Sequence, residues 1–267
     1  MAKKLPHIEN FDTLQTPLQE LKGCTVGVIH ITGGILFFKN RDFLLERKIN
    51  VSTFFQSTPE NYTLKGLNMG TKMMEGVSIG INKHKICVAN THVITTEGST
   101  YDILCERLIN EAEKEEDIPK IVEYFIGQNL MQGGQILVSS PEWTYLVEVF
   151  ENIFKVKKIS RNFVMTNNFF LIPHKVTRTE RLERSSINRL EVAGEMIKNI
   201  VNIGQLKSML RSHVPEKGDL SICNHHKDGS GTVSSHIIQV KRDYISWSSL
   251  EGYPCENDYN TVQLFLM

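Results

Sequence analysis

Cysteine is scarce in this 267-residue chain: Cys24, Cys87, Cys105, Cys223 and Cys255 are an odd number with no regular spacing, which argues against a disulfide framework. Long apolar runs are missing, so no stretch approaches a membrane span. The start, Met1-Ala2-Lys3-Lys4-Leu5-Pro6-His7, is basic but has no apolar core behind it and does not read as a secretory signal. Neither charge sign is in excess: 30 Lys and Arg balance 30 Asp and Glu, removing the global field that would draw the chain to nucleic acid or an anionic membrane. Repeats, low-complexity tracts and long Pro/Gly/Ser linkers are absent too. Gly229-Ser230-Gly231 lacks the lysine that a phosphate-binding loop needs next, and reads as a turn. What survives these exclusions is an enzyme-sized domain with free thiols, suited to a reducing cytoplasm.

What is present is a patterned start around Cys24. The run Cys24-Thr25-Val26-Gly27-Val28-Ile29-His30-Ile31 precedes the turn signal Thr32-Gly33-Gly34, and Ile35-Leu36-Phe37-Phe38-Lys39 follows it. Two apolar arms of equal length around a three-residue loop predict a β-hairpin. If Ile31 faces Ile35, antiparallel pairing sets Cys24 opposite Asp42. An unpaired cysteine is more often a small buried hydrophobe. A glycine before it, a matched hairpin and an acid at the far end together fit an amino-terminal nucleophile instead.

In that chemistry the thiol attacks the carbonyl of Gly23, and a residue without a side chain there lets the peptide take a strained geometry. Hydrolysis of the resulting thioester frees Cys24 as a chain start. Its α-amine, with a reference pKa of about 7.7–8.0, then serves as general base for its own thiol.

Beyond the hairpin, strands are expected over Ile49 to Phe55 and Val77 to Asn90. Ser99-Thr100-Tyr101-Asp102 is a capping pattern ahead of Leu104, Leu108 and Ala112 on one helical face, and Asp117-Ile118-Pro119 opens a second helix ending near Gly127. Strands return over Gln135 to Glu148 and Phe163 to Thr166. Leu190, Ala193, Ile197 and Ile200 mark a longer helix, with Leu206, Met209 and Leu210 on a short one. Thr232 to Val240, Tyr244 to Trp247 and Thr261 to Leu266 are again strand-like. Hairpins separated by helical blocks make an α+β fold.

Cys24-Thr25 with Asn40-Arg41-Asp42 resembles the start of the N-terminal-nucleophile (Ntn) hydrolases of the isopenicillin N acyltransferase-like and choloylglycine hydrolase group. Gly80 to Asn90 is similar to that group's next strand pair, with Lys85 where a glycine is usual. Val164-Met165-Thr166-Asn167-Asn168, Ser186-Ile187-Asn188-Arg189, Ile222-Cys223-Asn224-His225 and Gly252-Tyr253-Pro254-Cys255 follow in family order. The resemblance implies an αββα sandwich of two antiparallel sheets between helical layers, with residues 1–23 as a pro-segment and 24–267 as one catalytic domain. It implies Cys24 as nucleophile, Asp42 orienting its α-amine and Asn167 as first oxyanion donor, with Asn90 or His92 as the second.

Lys39 stands where two better-known branches have arginine or glutamine, and a cation there would contact an anionic substrate group or favour a thiolate. Arg189 is a candidate for a substrate carboxylate, although a solvated place on an amphipathic helix is the commoner fate of such a residue. The expected partners are a small acyl donor and, for an acyltransferase, an amine acceptor, with a homo-oligomer allowed, no nucleic acid and no membrane; no cofactor is implied.

Cys223-Asn224-His225-His226 contains zinc-ligating residue types, but adjacent histidines in an extended strand diverge and no Cys-x-x-Cys pair completes a site. A loop beside the pocket, without metal, is the expectation. A papain-type enzyme is disfavoured because Cys24 begins a strand rather than a helix. The competing class is a binding or scaffolding domain that keeps this fold without catalysis.

Overall fold

The strands β1 (Cys24–Ile31) and β2 (Gly34–Leu44) form the hairpin expected from the sequence, but around a tighter turn. Thr32 and Gly33 alone make the loop, with Gly33 at φ +76°, a conformation costly for any side chain, and Ile31 pairs with Gly34. Every partner therefore moves by one residue. Cys24 faces Arg41, and Asp42 instead pairs with Gly23, whose carbonyl accepts its N–H at 2.9 Å. Because side chains alternate along a strand, this shift puts Arg41 on the face of the thiol and Asp42 on the opposite face.

The structure, a computed structural model, describes residues 23–44, 54–68, 73–174, 179–225 and 230–267. Except for Gly23, the expected pro-segment lies outside the described residues, as does most of the strand expected over Ile49 to Phe55. Two antiparallel sheets dominate the remainder. The first runs β10 (Phe163–Met165), β1, β2, β11 (Ser230–Lys241), β12 (Tyr244–Glu251), β13 (Asn260–Leu264). The second runs in chain order through β3 (Phe55–Ser57), β4 (Asn61–Lys65), β5 (Val77–Asn82), β6 (Cys87–Ile94), β7 (Met131–Ser139), β8 (Thr144–Glu151) and β9 (Ile153–Ile159).

The sheets pack face to face through Val26, Val28, Phe37, Ile79, Leu137 and Trp247. Helices α1 (Tyr101–Glu111) and α2 (Asp117–Ile126) cover the second sheet through Leu104, Leu108, Ile118 and Val122. Helices α3 (Glu180–Met196) and α4 (Ile203–Leu210) cover the first through Ala193, Leu206 and Met209 against Ile29 and Phe38. Each fully buried aliphatic or phenyl side chain in these layers contributes about 1.5–3 kcal/mol. The result is the αββα sandwich. Among the described residues no helix is long and apolar enough to cross a membrane.

Helix α1 starts as its sequence dictates: the Thr100 side chain accepts the Asp102 N–H and caps it. That cap delivers Tyr101 and Asp102, both buried, to the end of the sandwich where β1 begins. Strand β9 was not expected. Its edge position leaves Lys155, Lys157 and Lys158 facing water, and an alternation of lysine with apolar residues protects an open sheet edge.

Candidate active site

The first residue of β1 is clamped by its main chain while its side chain looks into a cleft. The Cys24 N–H donates to Asn167 Oδ1 at 3.2 Å, and Arg189 Nη1 donates to the Cys24 carbonyl at 2.8 Å. Arg189 Nη2 also donates to Asn167 Oδ1 at 2.9 Å, so one guanidinium bridges both anchors. Asn167 is fixed in turn by Ser186 Oγ, which accepts its N–H at 3.0 Å, and by the His92 carbonyl, which accepts from Nδ2 at 2.8 Å. Cys24 is 4% exposed.

The expected solvated place for Arg189 is overturned. Ser185, Ser186, Arg189 and Ala193 share the buried face of α3, and Arg189 is 2% exposed. It reaches through the layer to the start of β1, where Thr25 Oγ1 also accepts from Nη1 at 3.2 Å. This leaves the guanidinium anchoring protein groups.

Asp42 is buried behind the strand. Its carboxylate accepts from Thr232 Oγ1 at 2.8 Å and Asn224 Nδ2 at 3.2 Å, and Arg189 Nη1 stands 4.0 Å away. Burial raises its pKa, a rise opposed by the Arg189 charge and the two hydrogen bonds. A Cβ on Gly23 would lie 2.8 Å from Asp42 Oδ2 and 3.0 Å from Arg189 Nη2. Gly23 is therefore required by space, a reason additional to peptide flexibility.

The cleft itself lies where both sheets meet α1, lined by Cys24, Lys39, Arg41, His92, Tyr101 and Asp102 among others. The Lys39 ammonium sits in a cage of four oxygens, donating to Ser78 O and Oγ at 3.1 and 2.8 Å and to Asn90 O and Oδ1 at 2.7 and 3.0 Å. Burial lowers its pKa. Asn90 completes the cage, with Nδ2 directed at Val77 O (2.9 Å) and Asp102 Oδ1 (3.0 Å). His92 Nδ1 lies 3.0 Å from the Tyr101 hydroxyl. Arg41, with its pKa lowered to about 10 by burial, stacks its guanidinium 4.7 Å from the Phe43 ring centre.

No protein-family model and no curated protein matches the chain. Solved structures do. Penicillin V acylase from Agrobacterium tumefaciens aligns with a TM-score of 0.54 at 8% identity, over 86% of this chain and 83% of that one. A variant of the conjugated bile acid hydrolase from Clostridium perfringens aligns with a TM-score of 0.52 at 11% identity, over 90% and 97%. Both are Ntn hydrolases. This chain has the Ntn-hydrolase fold. At such identities the likeness is one of architecture.

Within the Ntn-hydrolase fold, Cys24, Asp42, Asn167 and Arg189 converge at the start of β1, while Lys39, Asn90 and His92 border the cleft on the thiol side. Sequence reasoning missed Arg41, Tyr101 and Asp102. Asp102 and Tyr101 carried a signal in the Thr100 cap, which fixes them at a helix start; Arg41 had one in the hairpin register.

Proposed function

We propose that the protein is an N-terminal-cysteine amidohydrolase or acyltransferase, acting on a small acylated substrate after self-cleavage between Gly23 and Cys24. The observation that carries this reading is the clamp on Cys24: main chain held by Asn167 and Arg189, side chain toward the cleft, Asp42 against Gly23. Only the preceding bond joins that residue to the amino-terminal segment.

In self-cleavage, Cys24 Sγ attacks the Gly23 carbonyl carbon, the C–N bond breaks, and the released nitrogen takes the thiol proton. Water then hydrolyses the thioester, returning the thiol and leaving a Gly23 carboxylate. The new α-amine arises on Asn167 Oδ1 and next to Gly23, the residue against which the Asp42 carboxylate packs. In catalysis the amine accepts the thiol proton and passes it to the leaving amine as an acyl-thioester forms. Water or an acceptor amine resolves it. Asn167 Nδ2 is the first oxyanion donor, and the Lys39 and Arg41 charges favour an anionic group in the cleft. The cage about Lys39 gives Asn90 a supporting part in this scheme, while His92 supplies the carbonyl that orients Asn167.

Intact-mass measurement tests the reading. Wild-type protein is expected to lack residues 1–23, or to yield two fragments, and Cys24→Ala to remain one chain. Incubation with a panel of acyl amides and acyl thioesters is expected to trap an acyl adduct on Cys24. An uncleaved wild-type chain whose Cys24 never reacts with a thiol-directed electrophile would instead indicate a binding domain.

A further inference from the structure

Away from the cleft, four side chains from three chain segments turn their ligating atoms toward one point. His213, Cys223, His225 and Cys255 place one nitrogen or sulfur each so that all four atoms lie within 4.8 Å of one another. His225 Nε2 is 3.3 Å from His213 Nε2, 3.4 Å from Cys223 Sγ and 3.3 Å from Cys255 Sγ. A neutral imidazole nitrogen either donates one proton or accepts one, so a hydrogen bond accounts for one of these neighbours and leaves two unexplained. A shared cation accounts for all three.

We propose that this cluster is a structural zinc site of the Cys2His2 type. Bonds of about 2.0–2.1 Å to nitrogen and 2.3 Å to sulfur, arranged tetrahedrally, separate ligand atoms by about 3.3–3.8 Å. The distances around His225 Nε2 fall at that edge length. Two thiols and two imidazoles select zinc over hard cations such as magnesium or calcium. Four protein ligands close the coordination sphere, which marks a structural rather than a catalytic site. Cys223 is buried while the other three are partly exposed, so an ion can reach the cluster.

The surroundings support such a centre. The His225 ring stacks on Tyr253 with centres 3.8 Å apart, which fixes its plane, and the Cys223 and His225 N–H groups donate to Ser212 O at 3.1 Å and Gly218 O at 3.0 Å. The nearby ion pair Lys217–Glu256 is exposed, a kind of contact worth little in water. The expectation of a metal-free loop rested on the neighbours Cys223, His225 and His226. The fold brings in His213 and Cys255 instead, which no local spacing announces. Asn224, between two of the ligands, is one of the two side chains that donate to Asp42 at hydrogen-bond distance among the described residues, so the ion would anchor the loop behind the candidate active site.

Untagged full-length protein from zinc-supplemented culture, desalted under reductant without chelator, is expected to carry about one zinc per chain by elemental mass spectrometry. After metal removal, Co2+ is expected to produce thiolate-to-metal absorption and tetrahedral d–d bands that saturate at one equivalent and are displaced by Zn2+. Cys24→Ala should keep these bands, and the double variant Cys223→Ser/Cys255→Ser should lose them. Absence of both bound zinc and cobalt–thiolate bands in the wild type overturns the site, independently of whether the variants fold. Bands surviving in a folded double variant, or a Cys223–Cys255 disulfide in reduced wild-type protein, overturn it as well.

Discussion

Arg189 Nη2 donates to Asn167 Oδ1 at 2.9 Å while Nη1 of the same side chain holds the Cys24 carbonyl at 2.8 Å, so a helix of the outer layer fixes the first residue of an inner strand. Arg189→Met removes that bridge and leaves the buried Asp42 to its hydrogen bonds with Thr232 and Asn224. Loss of one member of a buried charged network costs about 3 kcal/mol or more. Urea denaturation of the Cys24→Ala background, with and without the substitution, measures it. Arg189→Lys should recover only part of the loss, because one ammonium cannot reproduce a planar fork.

Gly23→Ala forces a methyl group to within 2.8 Å of Asp42 Oδ2, a carboxylate already pinned by two hydrogen bonds. Overpacking of this kind costs about 1–3 kcal/mol. Self-cleavage is expected to slow at least tenfold, followed as the intact-mass ratio of long to short chain. Cleavage at the wild-type rate would count against the close packing of Gly23 on Asp42.

Lys39→Met leaves the oxygens of Ser78 and Asn90 without their buried donor. Unsatisfied buried acceptors cost about 1–3 kcal/mol each where they do not relax, so a loss of about 3 kcal/mol is expected. Thermal unfolding at fixed pH reports it, and a drop below 1 kcal/mol would mean that the cage reorganises.

His236 gives a pH signature. Its Nδ1 accepts from Trp247 Nε1 at 3.4 Å, which leaves the ring proton on Nε2, 3.0 Å from Ser234 Oγ. Burial first, then the Arg41 and Lys39 charges, lower its pKa to about 3. Between that value and the ordinary 6.5 the unfolded chain binds the extra proton, so this residue's stabilisation is present above about pH 6.5 and is lost as pH falls toward 3. The slope from this one group is up to ~1.4 kcal/mol per pH unit. Unfolding free energies from pH 7.5 to 4.5 should therefore fall less steeply in His236→Gln than in the wild type.

Much of the architecture was legible because each local signal agreed with the global one: matched apolar arms made β1 and β2, and the capping pattern Ser99-Thr100-Tyr101-Asp102 marked the start of α1, where Thr100 caps it. Register was not, since Thr32-Gly33-Gly34 fits a three-residue loop as well as the two-residue turn that forms, and one residue decides whether Arg41 or Asp42 meets Cys24. Arg189 was misjudged for a related reason: helical periodicity identifies a face, but a guanidinium surrounded by Ser185, Ser186 and Ala193 reads as polar until its acceptors on β1 are known. The His213–Cys255 relationship spans too much chain for any motif to carry it.

Strand β2 deals its charged side chains to alternate sides, Lys39 and Arg41 toward the sulfur and Asp42 toward the helices. The length of one small turn thus sets the electrical polarity of the chamber. Inserting a single residue between Thr32 and Gly34 that slid β2 along β1 by one position would turn Asp42 toward the sulfur's side and send Lys39 and Arg41 to the outer layer, reversing the charge around the sulfur without changing the identity of any β2 residue.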